Sequence, residues 1–158
     1  MSARNGSVSL AYEQVGDDGG EPLLLVMGLG MQMIYWPDGL LGEFASAGFT
    51  TARFDNRDAG ASTHLTWLGT PSLTTMLATP RHAAPYRISD MAADAVAVLD
   101  ALGWASAHVL GTSLGGMIAQ AMAISSRLSG VRGCEAVGRL SLMVASVIVA
   151  IHHPHKLD

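Results

Sequence analysis

Five consecutive apolar residues, Leu23, Leu24, Leu25, Val26 and Met27, constrain this chain more than any other feature. A strand that is apolar on both faces needs cover on both, and a parallel sheet between two layers of helices supplies it. The surrounding pattern agrees. Asn5-Gly6 reads as a tight turn between a short first arm, residues 1–4, and a second arm in which Val8, Leu10 and Tyr12 recur at period two. Residues 37–47 read as a helix with a proline in its first turn and Gly48 just past its end, followed by a strand over 49–54.

Residues 56–88 form a long polar connection broken by Pro71, Pro80 and Pro85. Ser89 is the expected N-cap of the next helix. There Met91, Ala95, Val98, Leu99 and Leu102 share one face, and Gly103 closes it. A strand over 107–110, a glycine-rich turn and an apolar helix over 114–124 complete the series. Strands alternating with helices predict an α/β fold: a mostly parallel sheet, right-handed crossovers and helices on both faces.

Composition excludes other classes. Nine basic against thirteen acidic residues leave no footprint for a nucleic-acid backbone, and a mean hydropathy of +0.33 is too apolar for a disordered chain. A single cysteine, Cys134, offers neither an intrachain disulfide nor a thiolate zinc cluster, and no cofactor or metal is called for. Residues 1–9 lack the apolar core of a signal peptide, and the longest apolar stretch, 140–151, falls short of the ~20 residues of a membrane span. A cytoplasmic protein acting on a small molecule, without membrane or nucleic-acid partners, is the expectation.

In such sheets ligands sit beyond the carboxyl ends of the strands, which directs attention to the turns at 28–30, 55–62 and 111–116. The last reads Gly111-Thr112-Ser113-Leu114-Gly115, a G-x-S-x-G match between an apolar strand and an apolar helix. That context suits a strained turn that holds a serine hydroxyl clear of the backbone, with glycines where the chain packs closely. If Ser113 attacks a carbonyl, the Leu114 N–H at the helix start is one oxyanion donor and the Leu29 N–H in Gly28-Leu29-Gly30-Met31 is the natural second. Dinucleotide binding fits poorly, because Met33 takes the third glycine position and Trp36-Pro37 interrupts the helix. A phosphate loop fits no better, since Met117 and Ile118 stand where lysine and a hydroxyl residue are required.

Residues 23–36 (LLLVMGLGMQMIYW), 54–58 (FDNRD), 85–86 (PY), 90–94 (DMAAD) and 111–120 (GTSLGGMIAQ) together resemble the N-terminal half of serine α/β-hydrolases, in particular the group of aclacinomycin methylesterases and related ester hydrolases. The resemblance spans about residues 5–124. It implies carboxylic ester hydrolysis through an acyl-enzyme on Ser113, with Leu29 and Leu114 as backbone oxyanion donors. Serine at the elbow argues against the dehalogenase and epoxide-hydrolase branches, which place aspartate there. The turn Asp55-Asn56-Arg57-Asp58 reads as structural, its charges pairing among themselves and its asparagine satisfying local backbone.

The pattern changes after Ile124. Residues 1–124 carry a net charge of −6 and residues 125–158 one of +2, and the run at 125–133 is rich in glycine, serine and arginine. Residues 1–124 are therefore expected to form the front half of an α/β-hydrolase domain, and 125–158 a divergent basic and apolar tail. The expected fold is partial, lacking lid and C-terminal strands, although residues 139–145 have strand character. In the family order the acid and the histidine follow the serine. The tail offers Glu135 and Asp158 as acids and His152, His153 and His155 as bases, on a segment with no visible scaffold. His64, His82 and His108 precede the serine and do not fit that order. Two readings therefore stand: a serine ester hydrolase, or a catalytically incomplete fragment, truncated or frame-shifted, with at most a binding role and an open sheet edge that favours self-association.

Overall fold

The computed structural model describes residues 1–16, 18–66, 85–128, 135–137 and 146–152, the last two segments and residues 126–128 as backbone only. The strands are β1 (Ser2–Asn5), β2 (Val8–Val15), β3 (Glu21–Val26), β4 (Phe49–Phe54), β5 (Ser106–Thr112), β6 (Glu135–Val137) and β7 (Ser146–His152). Among the described residues the helices are α1 (Asp38–Ser46), α2 (Ile88–Leu102) and α3 (Leu114–Leu128), with a 3₁₀ turn at Met33–Tyr35. The strands form one mixed sheet in the order β1-β2-β4-β3-β5-β7-β6.

The parallel expectation holds at the centre, where β3 pairs parallel with β4 and β5. Every outer pairing is antiparallel. The tight hairpin β1–β2 can pair only antiparallel, whereas β4-β3-β5 is joined through helices that return the chain to its starting end. Among the described residues two strands follow α3, and β7 lies beside β5, which extends the expected fold. Residues 139–145 lie outside the described residues.

Helices cover both faces. Leu24 and Val26 project into a core with Ala52, Phe54, Val109 and the inner sides of α2 and α3, including Val98, Leu99, Ile118 and Met122. Leu23, Leu25 and Met27 project the other way, onto Trp36, Leu41 and Phe44. Full burial of each such side chain contributes roughly 1.5–3 kcal/mol. Neighbouring residues of β3 serve opposite cores, which is why the run carries no polar position.

Several local expectations shift. The hairpin loop is Gly6-Ser7, with positive φ (58°) at Gly6, while Asn5 sits on β1 opposite Val8 and its side chain donates to Asp94 Oδ1 at 2.8 Å. Pro37 caps α1 from outside rather than occupying its first turn. Arg87, not Ser89, is the N-cap of α2, because the Asp90 carboxylate accepts the Arg87 N–H at 2.6 Å and stabilises a helix start two residues earlier. Gly48 and Gly103 end their helices with φ of 89° and 71°, as their positions suggested.

Candidate active site

The carboxyl ends of β3, β4 and β5 bring the three turns together. At the end of β5 the chain passes straight into α3 through Ser113, whose φ of 53° lies in the left-handed region that costs a non-glycine residue about 1–3 kcal/mol. Its carbonyl accepts the Gly116 N–H at 2.9 Å and starts the helix ladder, and its side chain is exposed. Leu114 occupies the first helical position, where an N–H has no acceptor within the helix.

The flanking glycines are dictated by contact. A Cβ on Gly111 would overlap the backbone of Gly115, and one on Gly115 would overlap the carbonyl of Val26. The elbow is thus pressed against the end of β3. The next residues of that loop lie beside the serine: a Cβ on Gly28 would stand 3.4 Å from Ser113 Cβ and 3.9 Å from its Oγ. Residues 28–31 form a turn, closed by Met31 N–H to Gly28 O at 3.3 Å with Gly30 at φ 67°, and Leu29 at its tip is 79% exposed. The structure therefore brings together Ser113, Leu114 and the loop of Leu29, all three residues singled out in the sequence.

The turn after β4 is structural but not self-paired, which corrects the expectation. Arg57 reaches α2 instead, with Nε 2.6 Å from Asp94 Oδ2 and an Nη 2.8 Å from Asp94 Oδ1, a two-pronged pair. Its guanidinium also donates to Asp90 O at 3.2 Å and lies 5.0 Å from the Tyr86 ring centroid. Hydrogen bonding to Asp94 raises the Arg57 pKa despite the opposing effect of burial. Asp58 accepts the Leu65 N–H at 2.5 Å, and Asn56 Nδ2 donates to Met27 O at 3.0 Å. Asp94 and Asn5 were missed as members of this cluster. The signal was present, because Asp94 falls among Met91, Ala95 and Val98 on the apolar side of α2, where a carboxylate demands a partner.

Tyr86 is pushed up to about 12, first by burial and then by its hydrogen bond to Asp58. The folded chain therefore holds this phenol proton longer than the unfolded chain does. Stability from Tyr86 is intact below pH 10 and declines as pH rises to about 12. An absorbance titration of the phenolates is expected to show a late step near pH 12 that Tyr86→Phe removes; a late step surviving in the variant would contradict the assignment.

The histidines and tail acids divide by register. His64 is exposed and bonds Gly60 O at 3.0 Å. His108 lies toward the opposite end of β5 from the elbow, edge-on to Phe49 and 3.6 Å from Glu21. Because β7 runs antiparallel to β5, Ser146 pairs with Thr112 beside the elbow, whereas His152 pairs with Ser106 at the far end. Six residues of strand put it ~20 Å away. Glu135 pairs with Ala150, itself opposite His108, so it too sits away from Ser113. His82, His153, His155 and Asp158 lie outside the described residues. Among the described residues no three of His, Cys, Asp and Glu converge as a metal site would need, and no helix is long and apolar enough to cross a membrane.

A strained serine between strand and helix, glycines forced by backbone contact and helices on both faces of the sheet define the class, and comparison with known proteins agrees. The chain belongs to the alpha/beta hydrolase fold family, whose profile matches residues 21–149. It is 35% identical over 119 residues to the rhodomycin D methylesterase DauP of Streptomyces sp. strain C5, covering 75% of this chain and 35% of that protein. It is 32% identical over 115 residues to the putative carbamate hydrolase RutD of Variovorax paradoxus, covering 73% and 37%. Among solved structures, a hydrolase from Pseudomonas aeruginosa PA01 superposes with a TM-score of 0.63 at 30% identity, covering 79% of this chain and 40% of that one. The chain thus spans between a third and two fifths of the length of these relatives.

Proposed function

We propose that this chain carries the nucleophilic half of a carboxylic ester hydrolase, with Ser113 as the nucleophile. The observation that carries the reading is the left-handed backbone of Ser113 at the strand-to-helix junction, with the Gly28 loop packed against it. A left-handed serine is strained, and that strain persists only where the surrounding contacts enforce it. Its hydroxyl oxygen attacks the ester carbonyl and expels the alcohol, and water then hydrolyses the acyl-serine. Negative charge developing on the carbonyl oxygen is met by the N–H groups of Leu29 and Leu114, each worth about 3 kcal/mol in the transition state. The methylesterase and carbamate hydrolase names of the relatives support an acyl substrate.

The serine proton needs a base, and among the described residues no histidine stands beside Ser113. That observation favours a second reading for the isolated chain, an elbow and oxyanion site that binds or is acylated without turning over.

A fluorophosphonate label and an aryl ester assay, run on the chain and on Ser113→Ala, separate the readings. The proposal expects stoichiometric labelling at Ser113 and ester turnover that falls at least ~100-fold in the variant. Labelling without turnover establishes the second reading. No labelling above the alanine variant rejects Ser113 as the nucleophile of this chain and leaves it at most a binding role.

A further inference from the structure

The loop that carries Leu29 is held at both ends by two adjacent buried side chains from the turn after β4. Asn56 Nδ2 donates to Met27 O at 3.0 Å, immediately before Gly28. Asp55 Oδ1 accepts the Met33 N–H at 2.6 Å, just beyond Met31. Both side chains are almost wholly buried. Asp55 is itself braced: Oδ2 accepts the Ala61 N–H at 2.9 Å, and the carboxylate fills the space that a Cβ on Gly60 would need. Its backbone joins β2 through Asp55 N–H to Ala11 O at 2.9 Å and through Ser62 Oγ, which donates to Asp55 O at 2.6 Å and accepts the Ala11 N–H at 2.9 Å. Between the two anchor points lie five residues, 28–32, with Leu29 exposed among them.

We infer that Asp55 and Asn56 are positioning residues for the oxyanion loop, setting where the Leu29 N–H points relative to Ser113. The inference rests on the proposed role of Ser113 and goes beyond it. Neither side chain touches the reacting atoms. A donor aids the transition state only where it already aims at the position the oxyanion will take, so a displacement near 1 Å costs rate without removing any group. The anchors are made from the β4 turn to the two ends of the β3 loop, so the aim is fixed by the sheet rather than by the loop's own residues.

Two variants release one anchor each. Asn56→Leu keeps the branched outline of the side chain, at a larger volume, and removes the donor to Met27. Met33→Pro removes the N–H that Asp55 accepts, together with the half-buried Met33 side chain, at the first position of the 3₁₀ turn, where proline is tolerated; Gln32 before it is already extended, at φ −93° and ψ 157°. The readout is the rate of Ser113 modification by a P=O phosphonate relative to its P=S analogue, because sulfur accepts hydrogen bonds poorly and draws little on the oxyanion donors. Each variant is expected to slow the P=O reagent about 10–100-fold and the P=S reagent less than about threefold, with faster amide hydrogen exchange over residues 28–32. A structural defect alone would slow both reagents together. An unchanged ratio in folded variants overturns the inference and leaves the nucleophile reading intact. A wild-type chain that neither reagent modifies overturns both. Should Asn56→Leu fail to fold, Met33→Pro decides the matter alone.

Discussion

Gly115→Ala is expected to cost about 4 kcal/mol or more, or to leave the chain unfolded. The added Cβ would overlap the Val26 carbonyl and approach that of Met27, the backbone where β3 runs into the Leu29 loop. Rotamer changes cannot relieve contact between one backbone and another. Either α3 withdraws from the sheet, opening the contacts of Ile118 and Met122 with Val26 and Val109, or β3 loses its register. Gly111→Ala meets Gly115 in the same way. Gly42→Ala is the reference: it is exposed in α1 with nothing within 4 Å of the new Cβ, and it is expected to stabilise by about 0.5–1 kcal/mol. Urea unfolding of the three variants measures this directly. A Gly115→Ala loss below about 1 kcal/mol would show that the elbow is not packed against β3 as described.

The second large effect belongs to the Arg57–Asp94 pair. Their side chains are 8% and 1% exposed, and the pair joins the turn after β4 to α2, with Asn5 of β1 on the same carboxylate. Replacing either partner strands a buried charge, so Arg57→Met or Asp94→Leu is expected to cost about 3–5 kcal/mol. The double variant is expected to cost clearly less than the sum of the two, because no charge is left without its partner. Additive losses in thermal or urea unfolding would mean that the two side chains act independently. Arg57 directly follows Asp55 and Asn56 in the chain, so the measurement also reports how firmly the turn that anchors the Leu29 loop is itself held.

What could be read directly was whatever depends on neighbouring residues. The buried strand followed from the unbroken apolar run at 23–27, α2 from its periodic face, and the helix ends from Gly48 and Gly103. Ser113 was legible because strand, glycine and helix signals converge within a few residues. Caps were displaced where a side chain two or three positions on decided the start, as Asp90 does for α2. The pairing of Arg57 was misread for a different reason: its partner lies 37 residues away on another element, while opposite charges stood next to it in the sequence.

The sequence by itself determined the layered α/β class, the elbow serine and the two loops that flank it, because each rests on periodicity or on a local backbone requirement. Only the tertiary structure decided that β7 runs antiparallel on the edge of β5, which places His152 at the far end from Ser113. It alone showed that Asp55 and Asn56 hold the ends of the Leu29 loop and that Arg57 belongs to Asp94. Strand direction at an edge and hydrogen bonds between distant elements are settled by which surfaces can be buried together, and residue order records that only indirectly.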